Sequence, residues 1–213
     1  MGSTRIGRQG APARPLVAFD FDGTLSYRDS FMAFLAWRRG PVRYALGLAA
    51  LLPATLLYLW NRDRGRLKAA ATRHFLRGLS RAELIRACDD FANSSLGRRL
   101  IRPDAEQRWQ AWRDQGAELV IVTASPEEVV EPFARRLGAD RLIGTRLEYD
   151  GSDRVAGGFA GENCRGPEKV RRLQEIYGQD LSLAAAYGDS SGDREMLAIA
   201  GEAGYQVFTQ RQL

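Results

Sequence analysis

Two aspartates one residue apart, Asp20 and Asp22 in Asp20-Phe21-Asp22-Gly23-Thr24-Leu25, are the first residues of this chain whose type and spacing suit chemistry. They close the apolar run Leu16-Val17-Ala18-Phe19, which suits a buried parallel strand delivering residues at its carboxyl end. Alternate strand residues point the same way, so the two carboxylates are expected on one side, repelling unless a cation or a phosphate-site donor intervenes. A hard divalent cation held by carboxylate oxygens meets that need, and Mg²⁺ typically binds through one or two carboxylates plus phosphate and water. Asp189 and Asp193, in Gly188-Asp-Ser-Ser-Gly-Asp193, supply further acid. Taken singly, each of these aspartates reads more simply as a helix cap or a turn former.

The elements that must position them turn the four into a set. A second apolar run, 118–122, ends in Thr123-Ala124-Ser125-Pro126, and a third, 181–187, ends in Gly188-Asp189. Helical patterns lie between, at 127–137, where Pro126 can open the helix, and at 169–177, where Gly178 can close it. Strands alternating with helices predict an α/β fold, an open, mostly parallel, Rossmann-like sheet whose ligands sit at the carboxyl ends of the strands. The polar residues closing the three runs therefore converge. Residues 141–163 break the rhythm and read as a hairpin around the turn Asp150-Gly151. Residues 26–102 are mainly helical and separate the first strand from the second, as an inserted cap would.

In order along the chain stand DFDGTL at 20–25, a strand running into Thr123-Ala-Ser, Lys169 in NCRGPEK, and GDSSGD at 188–193. This ordered set resembles the haloacid dehalogenase superfamily, in its phosphoserine phosphatase-like subgroup. The resemblance implies a hydrolase core over 16–25 and 103–213, with the helical cap over 26–102. It implies Asp20 as a nucleophile forming an aspartyl phosphate, and Asp22 as the acid and base whose backbone carbonyl also meets Mg²⁺. Thr123 and the amide of Ala124 are expected to hold phosphate oxygens, and Lys169 to neutralise charge on nucleophile and substrate. Asp189 is expected as a direct Mg²⁺ ligand and Asp193 as a supporting one. Lys169, beside Arg171 and Arg172, reads as an ordinary solvated lysine without that context. His74, the single histidine, is not needed by a catalyst that moves protons through Asp22.

The whole chain of 213 residues can bury a real core without disulfides. Its two cysteines, Cys88 and Cys164, lack zinc-ligand spacing and fit packed thiols in a reducing compartment. A net charge of +5 and a pI near 9.5 point to an acidic surface or an anionic substrate, with nucleic acid and anionic lipid both in view. Residues 1–15 read as a disordered basic tail; Arg5, Arg8 and Arg14 are candidates for phosphate contact.

The most unusual segment is 44–60, a charge-free stretch in the cap with Arg38, Arg39 and Arg43 before it and Arg62, Arg64, Arg66 and Lys68 after. A single membrane crossing would put Asp20 on one side of the bilayer and Thr123, Lys169 and Asp189 on the other, dismantling the site. Positive charge at both ends also favours one cytoplasmic side. An interfacial helix, a re-entrant pair bent at Pro53 and a buried cap helix remain. The first two favour an anionic membrane surface over nucleic acid as partner, a phosphorylated lipid as substrate, and a place on the cytoplasmic face of the inner membrane; the third fits a soluble cytoplasmic enzyme. Asp29 and Phe31 after DFDGTL, followed by the long apolar stretch, look like bacterial phosphatidylglycerophosphatase C, and mark Asp29 as a substrate contact. Phosphoserine phosphatases usually carry Glu where Asp29 stands and Asn where Gly192 stands. A soluble phosphatase or phosphotransferase for a small metabolite, and a non-catalytic binding protein on the same fold, are the other readings.

Overall fold

The computed structural model describes residues 14–51 and 64–211, the side chains of 64–67 excepted. Five strands, β1 (Leu16–Phe19), β2 (Glu118–Pro126), β3 (Arg141–Thr145), β6 (Leu183–Gly188) and β7 (Ala200–Tyr205), form one sheet in the order β3-β2-β1-β6-β7. Every pairing in it is parallel, with Val17 beside Leu119 on one side and Ala185 on the other. The expected α/β sheet is thus present. Period-two burial divides β1 and β2 between two cores. Val17, Phe19, Leu119 and Ile121 face one layer; Ala18, Val120 and Val122 face the other.

Helices α6 (Pro103–Asp114) and α7 (Glu127–Leu137) are part of the first core, through Ala105 and Trp109 and through Val130 and Phe133. Helices α8 (Pro167–Tyr177) and α9 (Arg194–Ala198) contribute Leu173 and Met196 to the second. Local chemistry sets these boundaries: Pro126 precedes α7 and Gly138, at φ 63°, closes it, while Pro167 opens α8 and Gly178, at φ 96°, ends it. The hairpin is confined to β4 (Leu147–Tyr149) and β5 (Val155–Phe159), which pair antiparallel. Residues 141–145, read as part of it, instead pair parallel with β2, because Leu142 and Ile143 supply an apolar strand for the sheet edge.

Between β1 and α6 lie α1 (Ser30–Arg39), α2 (Pro41–Ala50), α3 (Arg64–Leu76), α4 (Arg81–Asn93) and the short α5 (Ser95–Arg98). Asp29 caps α1 by accepting from the Met32 amide at 2.8 Å, and Ser80 with Glu83 forms a capping box on α4. These helices share one continuous core with the sheet. Phe34 meets Phe91 edge-on, and Phe91 meets Phe133 of α7 in the same way.

The described part of the apolar segment ends at Leu51; its remainder and the proposed bend at Pro53 lie outside the described residues. No described helix is long and apolar enough to cross a membrane. On α2, however, Val42 and Leu46 are 71% and 66% exposed. Arg14, counted with the basic tail, is spent structurally: its guanidinium donates to the carbonyls of Gly116 and Ala117 where β2 begins, at the sheet end opposite the site. Arg5 and Arg8 lie outside the described residues.

Candidate active site

The carboxyl ends of β1, β2 and β6 meet below a cavity of about 700 Å³. Asp20, the first residue past β1, is 5% exposed and receives Lys169 Nζ on Oδ1 at 2.6 Å. The same ammonium donates to Asp193 Oδ1 at 2.7 Å and to the Val122 carbonyl at 2.6 Å. A lysine has three N–H donors, and all three are used. Helix α8 carries Lys169 here because the chain, after Gly166 at φ 62°, enters the helix at Pro167 pointing toward the strand ends. The solvated-lysine reading is excluded, since this side chain is 1% exposed.

Burial is the largest influence on Asp20 and pushes it up to about 7; Lys169 opposes this, and Asp193 and Asp22 add to it. Burial alone would lower Lys169, yet Asp20 and Asp193 hold it above the ordinary lysine range. Asp193 stays below the usual carboxylate range although burial works against it, because Lys169 and the hydrogen bonds of Ser190 favour its charged form. Burial and the neighbouring Asp193 raise Asp189.

Carboxylate oxygens of Asp20, Asp189 and Asp193 lie within 4.8 Å of one another. Three hard oxygen donors at that spacing fit a single Mg²⁺. Gly23 makes the approach possible: its φ is +88°, and a Cβ there would overlap Asp189 Oδ2. Both Asp193 oxygens are engaged, Oδ2 with the amide and hydroxyl of Ser190 at 3.0 Å, so Asp193 chiefly anchors the loop and Lys169.

The Asp22 side chain does not join this group. Strand β1 ends at Phe19, so the alternation expected to place Asp20 and Asp22 side by side stops before either residue. The turn instead directs Asp22 to the start of α1, where Oδ1 accepts from the Ser30 amide at 2.7 Å and Oδ2 from the Ser125 hydroxyl. Burial and then Asp29 raise Asp22 above the usual carboxylate range, against Lys68, Ser125 and Ser30.

Ala124 and Asp29 line the cavity. Thr123 does not: it is fully buried beneath the cavity floor, its hydroxyl oxygen accepting from the Ser125 amide at 3.1 Å. His74 is not among the lining residues and packs edge-on against Phe75. Cys88 and Cys164 are both free and buried.

Lys68 escaped the sequence reading as a site residue. Helix α3 brings its Nζ to 3.6 Å from Asp29, and to 3.4 Å from the Ala124 carbonyl and from Ser125 Oγ. Arg165 was missed as well, though the Gly at 192 was a signal. Its guanidinium occupies the space a side chain would need there, with Nη1 only 2.6 Å from a Cβ built on Gly192, and it donates to Ser191 Oγ at 3.0 Å.

The model of haloacid dehalogenase-like hydrolases matches residues 17–198. The chain belongs to that family. Its fold is also that of a phosphoserine phosphatase, whose apo crystal structure superposes with a TM-score of 0.60 at 20% identity, covering 90% of this chain and 86% of that one. Protein CicA of Caulobacter vibrioides is 55% identical over 193 residues, covering 91% of this chain and 86% of that protein. Phosphoserine phosphatase SerB1 of Mycobacterium tuberculosis is 34% identical over 143 residues, 65% of this chain but 44% of its own length. A crystal structure of a Bordetella pertussis protein of unknown function superposes with a TM-score of 0.70 at 27% identity, covering 87% of this chain and 86% of that one.

Proposed function

We propose that the protein is a Mg²⁺-dependent phosphomonoesterase that works through an aspartyl phosphate on Asp20 and acts on a phosphorylated lipid at a membrane surface. The observation that carries the chemistry is the buried Lys169 held between Asp20 and Asp193 under an open cavity. Asp20 and Asp189 are the carboxylates that would hold Mg²⁺, with Asp193 in support, and the ion would supply charge neutralisation for the phosphoryl oxygens.

An Asp20 oxygen forms a bond to phosphorus as the bond to the leaving oxygen breaks. Asp22, which burial raises above the usual carboxylate range, gives its proton to that oxygen. Water then attacks phosphorus, Asp22 takes back a proton, and the Asp20 carboxylate is released with phosphate. Lys169 meets the negative charge of both nucleophile and transferring group, and lets a carboxylate approach an anion. Thr123 is proposed to act through Ser125 and the floor backbone, while Ala124 contacts phosphate directly.

Support for a lipid substrate comes from the apolar part of the cavity lining. Met32, Leu48, Leu51 and Ala71 form it, and α2 continues outward into the exposed Val42 and Leu46, flanked by Arg38, Arg39 and Arg43. An apolar wall rising from a phosphate site suits a molecule with an anionic head and an apolar tail, and phosphatidylglycerophosphate has that form. Anionic lipid would also attract the flanking arginines, placing the protein on the cytoplasmic face of the inner membrane.

Phosphate release from a vesicle-embedded lipid phosphomonoester and from a short soluble one tests this. Val42→Ser with Leu46→Ser is expected to lower the first rate at least fivefold and leave the second and the melting temperature intact. Equal loss of both rates refutes lipid docking through α2. A wild-type preference for small soluble esters such as phosphoserine refutes the lipid substrate.

A further inference from the structure

Two arginines stand against one aromatic ring beside the cavity, and a third lies close to one of them. Arg28 Cζ stands 4.7 Å from the centroid of the Tyr27 ring, and Arg211 Cζ stands 5.9 Å from the same centroid. Arg102 donates through Nη1 to the carbonyl of Gln210, next to Arg211, at 3.1 Å. The backbone holds this arrangement: Tyr27 N donates to Leu100 O and Arg102 N to Leu25 O, so the two segments carrying Arg28 and Arg102 run side by side. Tyr27, Arg28 and Arg102 all line the cavity.

None of the three guanidinium groups has a carboxylate within 4.0 Å among the described residues. The nearest acids in sequence are committed elsewhere. Asp29 caps α1 and faces Lys68, while Asp104 accepts from the amides of Ala105, Thr209 and Gln210. The Arg102 Nε–H is buried with no acceptor among the described residues. Positive charge assembled beside the cavity, with an unfilled donor and no ion pair among the described residues, calls for an anion from outside. The transferring phosphoryl group cannot serve, because Lys169 and the aspartates hold it on the cavity floor.

We infer that Tyr27, Arg28, Arg102 and Arg211 form a second anion subsite, and that the preferred substrate carries a second phosphate, as monoester or diester, on its leaving group. This rests on the phosphatase reading of the floor and deepens it. It also makes the three arginines specificity-determining residues that take no part in bond breaking.

Propyl phosphate and propane-1,3-diyl bisphosphate differ only in the second phosphate. Wild-type protein with Mg²⁺ is expected to prefer the bisphosphate at least tenfold in kcat/KM at low ionic strength, and added salt should shrink the preference by screening it. In the Arg28→Gln, Arg102→Gln double variant the ratio should fall to within about twofold of unity. Arg211→Gln, an exposed position, should lower it about threefold even where the double variant melts early. The two affinities, measured by calorimetry on Asp20→Asn with Mg²⁺, should show the same ratio. A preserved affinity ratio without turnover by the wild type faults the phosphatase reading and upholds the subsite. Equal wild-type values, or a ratio that survives all the substitutions, overturn the subsite. Sedimentation with phosphatidylglycerol vesicles separates the other source of phosphate: loss of vesicle binding in the variants with an unchanged ratio assigns the arginines to headgroups and also overturns it.

Discussion

Replacing Lys169 with methionine keeps most of the length of the side chain and removes one buried charge with three hydrogen bonds. Asp20 and Asp193 would then face each other without their shared counter-ion, and the Val122 carbonyl would lose its donor. Removing one partner of a buried ion pair costs about 3–5 kcal/mol, and for a chain this size each kcal/mol lowers the melting temperature by roughly 2–4 °C. A fall of roughly 6–20 °C at pH 8 without metal follows from those two figures. The sign with pH can be worked out from Asp20. Its folded value is raised to about 7, so the charged form destabilises the fold increasingly as pH climbs from its ordinary range through 7. Losing Lys169 raises Asp20 further, and protonation then relieves the repulsion. The gap between wild type and variant should therefore narrow from pH 8 to pH 5. Turnover should fall by about 10²–10³, the usual cost of losing a principal charge stabiliser. Melting curves at several pH values, with steady-state phosphate release, make the assay. A variant that melts within 2 °C of wild type at pH 8 and keeps its rate would refute the role given to the Lys169 bridge.

Asp20→Asn should abolish turnover while the metal-free protein at pH 8 melts at the same or a higher temperature, because the buried charge it removes is unfavourable there; a large drop in melting temperature would contradict this. Saturating Mg²⁺ should raise the melting temperature more at pH 8 than at pH 5, since Asp20 and Asp189 are both raised and must lose protons to bind a cation. A pH-independent shift would speak against the three-aspartate site. Gly23→Ala should weaken Mg²⁺ affinity and activity together, with backbone strain of about 1–2 kcal/mol on top of the overlap with Asp189; unchanged metal titration would show that Gly23 does not set the approach of Asp189.

Much of the fold was legible because buried parallel strands must be apolar runs and their carboxyl ends must carry the polar groups. Leu16–Phe19 matched to the residue, and α7 ran over Glu127–Leu137 directly after Pro126, as expected. Strand β7 was not readable, because Ala-Gly-Glu-Ala-Gly-Tyr at an exposed sheet edge has neither an apolar run nor an alternation. Among the site residues, Asp20, Lys169, Asp189 and Asp193 were readable as an ordered set of motifs. The orientation of Asp22 was not, since it depends on a turn that begins where strand periodicity ends. Lys68, whose ammonium reaches Ser125, and the arginines around Tyr27 depend on contacts between residues far apart in the chain. Periodicity carries no information about such contacts.

The central claim is that Asp20 carries the phosphoryl group. Acid-quenching the protein during turnover of a phosphomonoester with Mg²⁺, followed by peptide mapping, tests it directly. A phosphoryl adduct on Asp20 that is cleaved by hydroxylamine and absent from Asp20→Asn is the expected result. Sustained phosphate release by Asp20→Asn, or an adduct on any other residue, would contradict the account.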